Sequence, residues 1–503
     1  MVYCAVPAIR FPFLQQQHNP VETMFPLVYE INTRVWLREL KEKYGKPITL
    51  GTIPEDEFAL FKQCRFDYIW LMGVWKPSLY SEAIARSHPC LRTSYLELLD
   101  TVSPTDVGAS PYAIPEYILN PCLGEEKELD MFRKRLNDQG IMLMLDFVPN
   151  HLAVDNPLLP EHPEYFIPLS SDEHDLDPGS CIEYKRNMYL AHGKDPYFPG
   201  WTDTLQLNYA NPETHELMRN NLLSVSSRCD AVRCDVAMLI LKSVFDTTWG
   251  DSAGPMPEEF WQKTIQTVKS KYPGFVFLAE SYWDKEWELQ QLGFDYTYDK
   301  PFYDHITAHP VNISRLRQHL EAEWDYQSKL CRFLENHDEP RAAKKLGPNH
   351  PAAALILLTT PGMHLIHQGQ LEGLRMKLPV QLLCKKNESA HRDIETVYTQ
   401  LFNLIDNDLF TYGKIEVLQC DIHDSPGCIA YRRYLNGRSA FIFANFNSTG
   451  MLLQLDHEEF ERFDPDHYHV FSTKQVHTGI CRQAAGPSVR LAPHEAIIMR
   501  RNA

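Results

Sequence analysis

The chain has 12 cysteines but no Cys-x-x-Cys pair and no metal-knuckle spacing, which excludes a cysteine-based metal or redox motif. The cysteines stand singly, and Cys64 and Cys234 lie inside apolar runs, as small buried hydrophobes do. That usage points to a reducing, cytoplasmic compartment. No apolar run reaches the length of a membrane span; "AAALILLTT" is too short. The opening "MVYCAVPAIRFPF" lacks the basic stretch and apolar core of a secretory leader. Positive charge is scarce: 49 Lys and Arg stand against 66 Asp and Glu, for a net charge of −17. Such a balance argues against a nucleic-acid backbone or an anionic membrane as partner and fits a neutral substrate. There is no internal repeat and no low-complexity tract.

What remains is an ordinary globular composition, 44% apolar and 23% charged, over 503 residues, enough for two or three domains. Aromatic residues make up 12%, which suits stacking on sugar rings or bases as well as core packing. Short apolar, β-favouring runs begin at Leu27, Phe66, Ile141, Cys229, Phe275, Phe294, Cys331 and Met363. Helical stripes fill most gaps: Leu129/Phe132/Leu136, Trp261/Ile265/Val268, Ile313/Leu316/Leu320 and Ile394/Val397/Leu401/Leu404. Alternation of buried strands with helices implies a parallel sheet covered by helices. Eight such units suggest an α/β (β/α)8 TIM barrel.

Two segments break the rhythm. A Pro-rich, aperiodic insert runs from His151 to about Thr204, after the third strand; a loop that long is uncommon without a function. From Tyr412 onward, "CIAYRRYL", "SAFIFANF", "MLLQL" and "AIIMRR" read as short strands of an antiparallel β-sandwich. The expected division is a barrel from residues 1–150 and 205–411, an inserted domain at 151–204 and a C-terminal domain at 412–503.

Active sites of such barrels lie at the C-terminal ends of the strands. Those ends carry Asp146, Asn150 and His151 (third), Arg233 and Asp235 (fourth), Glu280 (fifth) and His337 and Asp338 (seventh, in "FLENHD"). Arg233 and Asp235 point the same way by alternation, and the cation is expected to keep the carboxylate ionised. Glu280 ends the apolar run "FVFLA", where desolvation is expected to raise its pKa and keep a proton on it. Two carboxyls under opposed pressures suit glycosidic bond chemistry. Each residue also has a plainer reading: Asp146 and Asn150 as loop ties, Asp235 as Arg233's ion-pair partner, Glu280 as a helix-starting acid, His337 as a structural histidine. Trp75, Trp201, Tyr282 and Trp283 can be sugar platforms or packing anchors, and "SSDEHDLDPGS" a solvated loop.

"DFVPNH" (146–151), "VRCDVAML" (232–239), "FLAESYW" (277–283) and "FLENHD" (333–338) together resemble the four short regions of the α-amylase family, glycoside hydrolase family 13, in the family's order and at its strand positions. The resemblance implies a retaining mechanism with Asp235 as nucleophile, Glu280 as acid/base and Asp338 as transition-state stabiliser. Arg233, His151 and His337 would bind the sugar, with Tyr112 stacking on it. It implies a substrate among α-linked gluco-oligosaccharides or polysaccharides, cleaved at α-glucosidic bonds, α-1,4 for preference. Transglycosylation through the same covalent intermediate is the near alternative, and a non-catalytic binding or scaffold protein the distant one. No cofactor is required by this reading; calcium at Asn150 is what relatives that bind the metal suggest. Met238 and Leu239 replace the Lys-His found after the nucleophile in many starch-degrading members, and "HQGQLEG" (367–373) departs from the family's usual eighth-strand ending.

Overall fold

The structure, a computed structural model, describes residues 25–405, 408–418, 420–421, 427–455, 468–474, 480–483 and 486–501. The opening segment read above for a leader lies outside the described residues. Eight parallel strands close into a barrel: β1 (Leu27–Asn32), β2 (Tyr68–Met72), β3 (Met142–Phe147), β4 (Ala231–Cys234), β5 (Val276–Ala279), β6 (Tyr296–Tyr298), β7 (Leu330–Arg332) and β8 (Met363–His367). Closure comes from β1, which pairs with both β2 and β8. The eight apolar runs of the sequence are these strands.

Alternation sorts their side chains. Val28, Trp70, Met144, Ala231, Leu278, Cys331 and Leu365 meet inside the barrel. Leu27, Tyr29, Ile69, Leu143, Val232 and Phe277 face the surrounding helices. The four helical stripes fall on helices Glu126–Asn137, Phe260–Lys271, Ile313–Leu320 and Arg392–Ile405. One apolar run changes character midway: "LVYEINTRVWL" is strand only to Asn32. The Asn32 Oδ1 accepts the Val35 N–H at 3.4 Å and starts a helix at Thr33.

The insert is less irregular than its composition suggests. It holds a three-stranded antiparallel sheet (Pro168–Leu169, Met188–Ala191, Cys181–Lys185) and is pinned at its base where His151–Ala153 pairs with Thr204–Gln206. The acidic "SSDEHDLDPGS" forms a short helix, Ser171–Leu176, with Ser170 and Glu173 as a capping box. Toward the C-terminus, a pair of antiparallel sheets shares one core, Phe441 and Phe443 of one against Leu453, Val489 and Leu491 of the other. Buried Arg433 ties these sheets to the barrel by donating to the carbonyls of Thr359 (2.5 Å) and Phe410 (3.1 Å). Among the described residues no helix is long and apolar enough to cross a membrane.

Candidate active site

Inward-facing positions one step beyond the hydrophobic layer of the barrel are polar. Glu30, Asp146, Arg233, Glu280 and His337 are all buried there, on β1, β3, β4 and just past β5 and β7. Arg233, fully buried, is the hub. Its Nη1 donates to Asp235 Oδ1 at 2.5 Å and lies 3.6 Å from Asp146 Oδ1, while Nη2 stands 2.7 Å from Glu280 Oε2. Three acids from three strands thus share one guanidinium, although they are far apart in sequence.

One cation cannot neutralise three desolvated carboxylates. Burial pushes Asp235 up to about 7, outweighing the opposing pull of Arg233, and the negative Glu280 adds to the rise. Burial likewise lifts Asp146 to about 6 against Arg233 and His337. This corrects the expectation that Arg233 alone keeps Asp235 ionised: the ion pair is present, but desolvation exceeds it. The apolar setting expected for Glu280 is also absent. Its Oε2 accepts the Val236 N–H at 2.6 Å beside Arg233, and its Oε1 accepts the Tyr282 hydroxyl at 2.8 Å. Burial therefore favours the protonated form of Asp235 near neutrality, with Arg233 opposing it.

Val236, next to Asp235, has φ +37°, a left-handed conformation costly for a β-branched residue. That geometry turns its N–H to Glu280. The following Ala237 N–H bonds the Glu280 carbonyl at 3.1 Å, so the loop after β4 is stitched to the end of β5. Met238 and Leu239 are buried there.

A second cluster centres on His337. Its Nδ1 bonds Glu30 Oε1 at 2.5 Å, and its Nε2 lies 2.7 Å from the Tyr112 hydroxyl and 3.0 Å from Asp338 Oδ2. The Tyr112 ring stacks on the imidazole at 5.2 Å. Burial opposes protonation of His337, but Asp338 and Glu30 outweigh it and hold the imidazolium well above the ordinary histidine range. Asp338 in turn is drawn below the usual carboxylate range: burial opposes this, and His337 prevails. Its side chain remains 49% exposed, facing the mouth. Asn336 shapes the turn, its Oδ1 accepting the N–H groups of Asp338 and Glu339 at 2.9 Å each.

The structure thus brings Arg233, Asp235, Glu280, Tyr112, His337 and Asp338 to one rim. His151 is buried beside them, its ring 5.0 Å from that of Trp201, and burial lowers its pKa to about 4, leaving it neutral. Asn150 is occupied elsewhere. It exchanges hydrogen bonds with Gln206, Nδ2 to Oε1 at 3.1 Å and Gln206 Nε2 to its Oδ1 at 3.0 Å. Among the described residues no group of three or more His, Cys, Asp or Glu could hold a metal ion. The amide-to-amide pairing at Asn150 does not fit a calcium ligand. Of the candidate aromatics, Trp75 is an anchor, its Nε1 donating to the Asp146 carbonyl at 2.8 Å. Tyr282 touches the acid directly.

Two contributors escape the sequence reading. Glu30 sits in the apolar run "LVYEIN", and an acid inside a barrel strand was the available signal. Gln206 carries no signal at all.

The family pattern described as "Alpha amylase, catalytic domain" matches residues 102–408. The chain belongs to the α-amylase family. Alpha-amylase 3 of Dictyoglomus thermophilum is 24% identical over 282 residues, 52% of this chain and 53% of that protein. The intracellular maltogenic amylase of Bacillus subtilis is 20% identical over 404 residues, 74% of this chain and 63% of that protein. The chain therefore spans between half and two thirds of the length of these two curated relatives. In fold, this α-amylase-family chain is similar to a maltogenic α-amylase of Thermotoga neapolitana, with a TM-score of 0.66 at 20% identity, covering 96% of this chain and 99% of that one.

Proposed function

We propose that the protein is a retaining α-glycoside hydrolase acting on α-glucosidic bonds of gluco-oligosaccharides, α-1,4 bonds for preference. The observation that carries the reading is the meeting of Asp235, Glu280 and Arg233 in one buried cluster, with Asp338 and His337 beside it. In this reading Asp235 attacks the anomeric carbon and forms a covalent glycosyl-enzyme. Glu280 gives its proton to the leaving oxygen and then takes one from water. This double displacement needs Asp235 ionised, which the Arg233 ion pair favours, and Glu280 protonated. Asp338 stays ionised through His337 and offers negative charge to the oxocarbenium-like transition state. Arg233, Tyr112, His337 and His151 line the space for the sugar being transferred.

Transfer to a sugar acceptor uses the same intermediate. It is favoured by one feature, the exposed Tyr197 against Trp283 with exposed Phe198 next in the chain, an apolar landing for an acceptor ring. Incubation with maltoheptaose followed by chromatography tests both: shorter sugars alone mean hydrolysis, longer ones mean transfer, and no change for any α-glucoside removes the catalytic reading. We further take the chain as three domains, 1–150 with 205–411, 151–204 and 412–503. An intracellular setting is supported by the name of the Bacillus subtilis relative and by unpaired buried thiols at Cys64, Cys229, Cys234 and Cys331.

A further inference from the structure

The rim is closed on one side and open on the other. On the closed side, the long connection after β8 is laced to the segment after β2. Gly108 N–H bonds the Gln381 carbonyl at 2.9 Å, Leu383 N–H bonds the Asp106 carbonyl at 2.9 Å, and Val107 pairs with Leu382. Arg34, just past β1, clamps both from below: Nη1 donates to the Ala109 carbonyl at 2.8 Å and Nη2 to the Val380 carbonyl at 2.7 Å. Leu382 is fully buried with Ala85, Tyr95 and Val107, and a Cβ at Gly108 would already press Leu383 at 3.1 Å. Glu388 braces the same connection by accepting the N–H groups of Arg375 (2.7 Å) and Met376 (3.1 Å). Lys377 reaches across to donate to the Asp338 carbonyl. Beyond His337 this wall holds a small cleft lined by Met72, Gln368, Leu374 and Lys377, with about 60 Å³ open to water centres.

The open side lies across the barrel, over β4 and β5. Tyr197 and Phe198 of the insert are 72% and 69% exposed, and the Tyr197 ring meets Trp283 edge-on at 5.1 Å. Trp283 directly follows Tyr282, the residue bonded to Glu280.

The polarity of the reaction links these two sides. A general acid protonates the leaving group, so the leaving group lies on the side of Glu280. Sugars joined to the non-reducing end of the transferred unit would run the other way, into the wall over β8, β1 and β2. We propose that the site is a one-ended pocket. It accepts only a single, terminal, non-reducing α-glucosyl unit, and it tolerates leaving groups of varied size over Tyr197, Phe198 and Trp283. The enzyme is then exo-acting, changing chain length one glucose at a time. This rests on the glycosidase reading above.

The wild-type chain is offered three substrates: maltoheptaose, maltoheptaose with its non-reducing-end 4- and 6-hydroxyls blocked, and an aryl α-glucoside. The expected result is turnover of the aryl glucoside. Maltoheptaose should give glucose or chains one unit shorter or longer as first products, and the blocked heptaose should react at least 100-fold more slowly. Early appearance of mid-length oligosaccharides, or comparable cleavage of the blocked chain, would overturn the pocket while leaving the glycosidase reading intact. No turnover of all three would remove both.

Discussion

Two clusters stand side by side on this rim, built from nearly the same groups, and they titrate in opposite directions. Around Arg233, one cation meets Asp146, Asp235 and Glu280, all buried, and burial lifts Asp235 to about 7 and Asp146 to about 6. Around His337, one cation meets Glu30 and Asp338; Asp338 opens to the mouth and is driven down, while the imidazole is driven up. The ratio of cations to acids and the access of water decide the outcome, not the residue types. In the first cluster burial favours the protonated carboxyls. The second holds a fixed charge pair that can face developing positive charge without releasing or taking a proton.

Removing Asp235 should break the first cluster most visibly. Asp235→Asn is expected to lower kcat by at least about 10⁴-fold, as loss of a covalent nucleophile does. The same variant should gain stability on the order of 1–2 kcal/mol at pH 8, because a carboxylate ionised against its burial is gone. Steady-state kinetics and urea melts check both halves; wild-type rates would move the nucleophile elsewhere. Arg233→Met is expected to cost about 3–5 kcal/mol at pH 8, leaving buried acids without their cation. Much of that loss should return near pH 5, where the acids protonate, as pH-resolved melts would show.

The wild type itself should report the contrast. Asp146 and Asp235 bind protons more tightly folded than unfolded, so between about pH 4 and 7 their contribution to stability falls as pH rises. His337 is raised, so its contribution is complete below the unfolded histidine value and disappears only as pH climbs through its folded value. Asp338 is lowered, so its contribution is present above the unfolded aspartate value and is lost as pH falls through the folded one. Thermal melts from pH 4 to 8 should show the decline, and Asp235→Asn should flatten it.

Glu30→Gln sharpens the second cluster. It should bring the His337 pKa down, read by NMR titration of the ring, and pull the alkaline limb of the rate profile to lower pH. A shift confined to stability, with no change in that limb, would make Glu30 a mere packing residue. The smallest effect expected is Tyr282→Phe. One hydrogen bond to Glu280, worth about 1 kcal/mol, should cost roughly 5–10-fold in kcat with the fold intact.

Much of this site was legible before any coordinates. Arg233 and Asp235 share a face because strands alternate, and Glu280, His337 and Asp338 end apolar runs, so their place on the rim needed only local pattern. Glu30 was hidden because one acid in an apolar run has no partner visible in sequence; His337 lies 307 residues away. Glu280's surroundings were misjudged for a related reason. "FVFLA" looks apolar along the chain, yet the groups that touch the carboxylate come from β4 and from Tyr282. The insert looked irregular because strands of two to five residues leave too short a trace to show a period.

The amino-acid sequence by itself determined the eight-strand barrel, the inserted segment and the identity of the rim acids. Period-two and period-3.6 patterns are local, and the third, fourth, fifth and seventh strands carry their polar residues at their own ends. Tertiary structure alone decided which acid keeps a proton, that Glu30 and Tyr282 join the site, that Asn150 is spent on Gln206, and that one side of the rim is walled. Desolvation, shared cations and chain closure are sums over residues distant in sequence, and no local pattern contains them.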